Sequence, residues 1–351
     1  MRPPAPRCPD PNCRAPHLGA VRHSRFQVRR SKRQRYRCRG CGKTFSGCVG
    51  TPYHRMRYPA ELFDRAAALA TEGMSKAAIA RILRISVGTV TRWLEKAAFH
   101  SAVFSERVVR QVCGPEIQAD ELRSYTRTKK QNIWLHTSLD VESRLWTTMR
   151  LGRRTMRDTK LHMGDLRDRL SQGGGRRLMT TDAFKYYGQI VPDVFGPALV
   201  YAQVEKSFRD NRVVKKRENY VVGSAADFEQ ALVESEDSRK LNTSFVERLH
   251  LTIRRSLAAL QRKTTAYARS PLCLAHVLVL LRATYNFIRP HRALRFGKTM
   301  RTPAMQAGLA TRPLTYREIF TLPQRWWYQD PARPRPDIHG KELLRGMVGV
   351  R

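Results

Sequence analysis

The stretch "LNTSFVERLHLTIRRSLAALQRKT", Leu241 to Thr264, holds many Arg and Lys residues but one carboxylate, Glu247. Read at helical spacing, Phe245, Leu249, Ile253, Leu257 and Leu260 form one apolar face, a stripe that requires a core. Glu247, His250, Leu251, Arg254 and Gln261 fall on or near a different, mostly polar face. Glu247 is then either a surface carboxylate paired with neighbouring cations, which contributes little in water, or a carboxylate held where an anionic polymer passes, with a metal ion between them. The rest of the chain decides between the two.

The chain has 351 residues and a formal charge of +37. That length allows two or three domains, each with its own core. The excess of Lys and Arg implies a polyanionic partner, nucleic acid first; ribosomal and basic membrane-surface proteins share the charge but rarely combine it with the motifs below. No apolar run has the length that a membrane span needs, so no membrane partner is expected. The start, "MRPPAPRCPDPNC", is positively charged without a following apolar stretch and does not read as a secretory signal. Seven cysteines without such a signal favour metal ligation or reduced thiols over a disulfide framework.

From Pro11 to Ala60 there is no Asp or Glu. This segment and its approach carry Cys8, Cys13, Cys38 and Cys41. "CRGC" is a compact knuckle in which Gly40 and Gly42 allow the tight turn, and "CPDPNC" is a wider one. Together they read as a structural zinc ribbon around the basic hairpin "VRHSRFQVRRSKRQRYR", with His17, His23 or Cys48 able to replace one ligand. Arg29, Arg30, Arg33 and Arg35 are its expected phosphate contacts. Cys113 and Cys273 stand alone in apolar surroundings and read as buried thiols. Residues 1–55 form this segment. Residues 56–105 follow as three apolar-periodic helices broken at Gly73 and at Arg84–Ser86. Ser86 is the expected N-cap of the third, which buries Val90, Trp93 and Leu94 and exposes Thr89, Thr91 and Arg92, as the recognition helix of a helix-turn-helix would.

Beyond residue 110 the pattern changes to α/β. "VCGPEIQADEL" and "NIWLHTSLDVESRLWTTMRL" read as three successive strands, followed by a helix near Asp158–Leu170 and a short strand "RLMTTD". The helix "AFKYYGQIV" and the strand "ALVYAQV" come next. Glu205–Lys240 holds a basic run, a possible strand at Tyr220–Val222 and an acidic helix from about Asp227 to Glu236. A basic Pro/Arg-rich tail, 311–351, reads as mobile apart from Trp326–Tyr328. Asp120 lies inside the first strand, Asp182 ends "RLMTTD", and Glu247 lies on the helix of the opening stretch. Singly, a strand-end cap explains Asp120 and a helix N-cap explains Asp182. In this order, on elements that fold together, the three acids are the parts of a phosphoryl-transfer site with two Mg²⁺ about 3.5–4 Å apart. Glu121, one residue from Asp120, falls on the opposite strand face by alternation.

"QADEL", "TTDAF", "NTSFVERLHLTIRRSLAALQRKT" and "YNFIRPHRAL…TPAMQAGL" together resemble transposases of the insertion-sequence-one family, of the DDE type. The zinc ribbon and helix-turn-helix match that family's layout, and the resemblance runs from about Cys8 to Leu309. Arg123 stands where an aromatic is common after "DEL", and the first cysteine pair is wider than a two-residue knuckle. The resemblance implies an RNase H-like α/β domain over 110–310 with a mixed sheet of five main strands. It carries Asp120, Asp182 and Glu247 over as catalytic acids and Mg²⁺ ligands, with Mn²⁺ able to substitute. It implies a homodimer or higher oligomer that binds the element's terminal inverted repeats and target DNA on a prokaryotic nucleoid in the cytoplasm, with Arg248, Arg254 and Arg255 along the DNA. A DNA-binding regulator without activity, or an RNase H-like nuclease without strand transfer, would share most of these features. His291 in "RPH" reads as a histidine satisfied at a helix end.

Overall fold

The computed structural model describes residues 8–10, 13, 20–22, 35–173, 176–210, 212–235, 240–264, 266–329 and 346. Arg29, Arg30, Arg33, His17 and His23 lie outside them. A small antiparallel sheet opens the chain, made of β1 (Ala20–Arg22), β2 (Arg35–Cys38) and β3 (Thr44–Ser46). Three helices follow: α1 (Ala60–Thr71), α2 (Lys76–Leu83) and α3 (Val87–Val108). Ser86 caps α3 by accepting from the Thr89 N–H at 3.1 Å, as expected of a serine before an apolar-periodic run. Arg84, at φ 53°, closes α2 in the left-handed conformation.

The α/β part is a six-stranded mixed sheet in the order β6–β5–β4–β7–β8–β9. Its strands are β4 (Glu116–Tyr125), β5 (Asn132–Asp140), β6 (Trp146–Gly152), β7 (Arg177–Asp182), β8 (Leu199–Arg209) and β9 (Arg212–Val222). β4, β5 and β6 form an antiparallel meander, β7 and β8 add parallel to β4, and β9 returns antiparallel. Helices α4 (Met156–Arg169) and α5 (Lys185–Phe195) pack together and against the sheet, with α6 (Ala225–Glu234) after β9. Helix α7 (Ser244–Ser256) lies on β4 and β5, and α8 (Pro271–Ala283) packs along α3. The short hairpin β10 (Arg295–Phe296) and β11 (Thr299–Met300) leads to α9 (Pro303–Gln306) and α10 (Tyr316–Gln329).

Several expectations need correction. The sheet has six strands rather than five main ones, because the segment read as a basic run with a short strand is the whole of β9. Nearly every β9 side chain is exposed, so no apolar alternation announced it; its hydrogen bonds come from β8. The region beyond residue 311 includes α10, whose Ile319 and Phe320 are buried and whose Phe320 ring packs on Tyr53 and Phe63. Arg317 ties it to Asp64 and Glu61 of α1. Cys113 is exposed and Cys273 half-buried, not the buried thiols expected. One helical segment, Pro271–Leu294, is long and apolar enough to cross a membrane, but 72% of its apolar window is buried inside this fold.

The opening helix is shorter than its stripe. α7 stops at Ser256 and the chain continues through a 3₁₀ turn, Ala258–Leu260, which still carries Leu257 and Leu260 into the same core. Val246, Leu249 and Ile253 are buried with them, while Phe245 is only half-buried. A second apolar cluster runs without a break from Tyr53 through α1–α3 to β4, α4, α5 and α10. The N-terminal helices therefore share a core with the sheet.

Candidate metal and nucleic-acid sites

β2 and the Arg39–Gly42 turn place Cys38 and Cys41, and the approach to the small sheet places Cys8 and Cys13. Their four sulfurs lie within 4.8 Å of one another. Cys8 Sγ is 3.6 Å from Cys41 Sγ, and Cys13 Sγ is 3.6 Å from Cys38 Sγ. These are not disulfides; a tetrahedral Zn²⁺ with Zn–S near 2.3 Å would separate its sulfurs by about 3.8 Å. The knuckle turn is closed by Gly42 N–H on Cys38 O at 3.1 Å, with Gly42 at φ 72°, and Gly40 N–H points at Cys38 Sγ at 3.3 Å. Burial opposes the Cys38 thiolate, but the backbone N–H groups of Cys41 and Gly40 and the neighbouring thiols outweigh it and bring the thiol down to about 7. Burial pushes the Cys8 thiol up. The donor set fits zinc: four sulfurs, converging, around the buried Phe45.

The acidic site is assembled by the main sheet. In the β4–β5 register Asp120 stands opposite Thr137, and in the β4–β7 register Ala119 stands beside Thr181, so Asp182 emerges next to Asp120. Asp120, Glu121 and Asp182 each offer an oxygen, all within 4.8 Å of one another. Burial raises the pKa of Asp120 well above the usual carboxylate range, and the charges of Asp182, Glu121 and Glu247 add to it. Glu121 is pushed up to about 7, by burial first and then by Asp182. Asp182 is also raised by burial, against the Phe184 N–H that it accepts at 3.1 Å. Crowded, buried carboxylates that raise one another form a site with a deficit of positive charge, and this set of hard oxygens fits Mg²⁺ or Mn²⁺.

Two side-chain cations partly fill that deficit. Arg154, at the entry to α4, donates from Nε to Glu121 Oε2 at 3.0 Å and lies 3.4 Å from Asp182 Oδ2. Its guanidinium stacks on the Phe184 ring with its carbon 3.8 Å from the centroid. Lys206 of β8 pairs with Glu247 Oε1, which also accepts from Thr243 Oγ1 at 2.7 Å. Glu247 is half exposed and stands outside the closest set of three acids, although its charge reaches both Asp120 and Asp182.

Alternation along β4 holds, with Asp120 on the α7 side and Glu121 on the other. Yet Glu121 is not outside the site. Among the described residues its buried Oε1 has no partner at hydrogen-bond distance; it faces His136 Nδ1 at 3.7 Å, with the Tyr187 hydroxyl also acting on the carboxyl. Because Asp182 ends its strand, it meets side chains from both faces, a proximity that alternation in one strand does not reveal. His250, placed on the polar face by helical spacing, is buried instead. Its Nδ1 lies 3.4 Å from Asp120 Oδ2 and its Nε2 2.6 Å from Thr137 Oγ1. Burial lowers its pKa to about 3. Arg154 and Lys206 carried no spacing signal, and helical spacing set His250 beside Glu247 without revealing its contact with Asp120; the three reach the acids from three separate elements.

Of the expected nucleic-acid contacts, Thr89 and Thr91 are half-buried and Arg92 is exposed, over buried Val90, Trp93 and Leu94. Arg35 is exposed and donates to Thr44 Oγ1 at 2.9 Å. Arg255 is exposed beside an open groove of about 560 Å³, which is also lined by Glu121, Glu247, His250, Arg254 and Arg262. Arg254 is half-buried and engages the carbonyls of Leu260 and Arg123 at 3.0 and 3.3 Å. Arg248 lines a different cavity, and His291 Nε2 donates to Tyr285 O at 3.2 Å and lines that same cavity rather than the acidic groove. No protein-family model matches the chain, and no curated protein matches it.

Proposed function

We propose that the protein is a DNA transposase of the insertion-sequence-one type. It would bind the terminal inverted repeats of its element, cleave the strand ends and join them to target DNA. The observation that carries this reading is the convergence of Asp120, Glu121 and Asp182, with Glu247 in electrostatic reach, beside a groove lined by Arg254, Arg255 and Arg262 in a chain of charge +37. The order of elements supports an RNase H-like sheet: three antiparallel strands, a helix, a strand, a helix, a strand, and later the helix with Glu247. The Ser86-capped α3 with exposed Arg92 supports a helix-turn-helix, and the four cysteines support a zinc ribbon.

Asp120, Asp182 and either Glu121 or Glu247 would hold the divalent ions. Such ions, when bound, supply an activated water and charge stabilisation at the phosphodiester. The protein's own side chains do the rest. His250 and Thr137 hold Asp120 in place, and Arg154 fixes Asp182 against Glu121. The groove cations attract the backbone, an effect that falls steeply with salt. The protein would act as a homodimer or higher oligomer, since two ends must be brought together.

The test supplies labelled element ends and a plasmid target. Joined product supports the transposase; cleavage without joining leaves a nuclease; binding without cleavage leaves a DNA-binding regulator. Failure to bind DNA at low salt would overturn all three.

A further inference from the structure

Helix α7 has two flanks. One carries Glu247, Leu251, Arg254 and Arg255 towards the acidic groove. The other carries Phe245, Arg248 and Thr252 into a separate cavity of about 260 Å³. Four arginines reach this second cavity from three parts of the chain: Arg144 from the β5–β6 turn, Arg248 from α7, and Arg289 and Arg292 from the segment after α8. Among the described residues, no carboxylate lines it. Its remaining walls include the Phe245 and Tyr285 rings, and the Arg144 guanidinium carbon lies over the Phe245 ring, 4.0 Å from the centroid.

The cavity is built rather than incidental. After α8 the chain makes a π turn, Thr284–Ile288, with Arg289 N–H on Thr284 O at 2.9 Å. Such turns are rare and concentrate at functional sites. Buried Asn286 anchors this one, accepting from Trp146 N–H at 2.9 Å and donating to Trp146 O at 3.0 Å. Tyr285, within the turn, and Arg289, just after it, line the cavity opposite the Phe245 and Arg248 flank of α7. Arg289 also pairs with Glu72, next to α1.

We propose that this cavity is a second DNA-backbone site, which takes a phosphodiester of a strand passing over α7. The ligand class follows from the walls. Planar guanidinium forks match phosphate oxygens, and an aromatic ring beside them suits a sugar or base face. The volume is below the range of about 300–1,000 Å³ usual for whole small-molecule sites, and suits one backbone unit. A helix with side chains is about 10–12 Å across, a span that one strand covers in about three nucleotides at 3.4 Å each. The site therefore grips a strand a few nucleotides from the acids, independently of sequence. It rests on the DNA reading above and is not part of the acidic groove.

The test compares full-length wild type with the double variant Arg248→Gln/Arg292→Gln, two exposed positions at which the fold is expected to survive. Anisotropy titrations use a labelled end duplex and an unrelated duplex over a range of salt. The double variant should weaken binding to both equally and reduce the log–log salt slope by about 1, the value for one lost phosphate contact. Removing two charges elsewhere, by Arg157→Gln/Lys160→Gln on α4, should leave the slope unchanged. Phe245→Leu should weaken binding without altering the slope. An unchanged slope in the Arg248/Arg292 variant, or an equal fall in the α4 variant, would overturn the site while leaving DNA binding intact. Wild type that binds neither duplex would remove the DNA reading itself.

Discussion

The four-cysteine cluster and the acidic cluster are both poised for cations, but they are built in opposite ways. The cysteines come as two local pairs, three of the four are buried, and their sulfurs already stand at distances suited to a tetrahedral metal. The acids come from β4, β7 and α7, remain partly open to a groove, and hold Arg154 and Lys206 as counter-cations. A closed set of four protein ligands is the mark of a structural site, whereas a catalytic one keeps a position for substrate. On the function proposed above, the contrast would separate a site whose ion folds the chain from one whose ion would be exchanged for side-chain cations.

The comparison breaks most sharply at the cysteines. Cys38→Ser/Cys41→Ser should abolish the one zinc per chain and unfold the small sheet, because metal binding and folding are coupled there. Metal analysis and circular dichroism check this; zinc-free, well-folded wild type would end the structural-site reading. At the acids the fold should persist and the chemistry should not. Asp120→Asn and Asp182→Asn should each lower cleavage of a labelled end by orders of magnitude while end binding survives.

A smaller effect sharpens the contrast. Sequence alternation alone predicts that Glu121→Gln costs much less than the change at Asp120. With Glu121 holding Arg154 against Asp182, the change should cost about 10–100-fold in cleavage, the usual loss when a residue that orients a metal ligand is altered. Cleavage within twofold of wild type would return Glu121 to a packing role. The smallest effect concerns the counter-cation. Lys206→Met should tighten Mn²⁺ binding to the DNA-free protein a few-fold, read by electron paramagnetic resonance, because it frees Glu247. If affinity does not change, Glu247 does not join the ion in the absence of DNA.

Legibility followed distance along the chain. The Cys38–Cys41 knuckle, the Ser86 cap with buried Val90, Trp93 and Leu94, and the strand–helix alternation were readable because each depends on neighbours within a turn or a strand. β9 was not, since an exposed strand hydrogen-bonded to β8 needs no apolar alternation. Nor was α10, whose burial against α1 depends on residues some 250 positions away.

At the site the division is the same. The sequence by itself determined which acids stand on which elements, because a strand's period of two and a helix's of 3.6 fix the facing of each side chain within its own element. Only the tertiary structure decided which of them meet. The β4–β7 register put Asp182 between the two faces of β4 and so drew in Glu121. The packing of α7 on β5 buried His250 against Thr137 and Asp120, and left Glu247 at the rim with Lys206. Periodicity acts along one element, whereas the electrostatics of a site act across space, between groups whose separation is set by sheet register and helix packing.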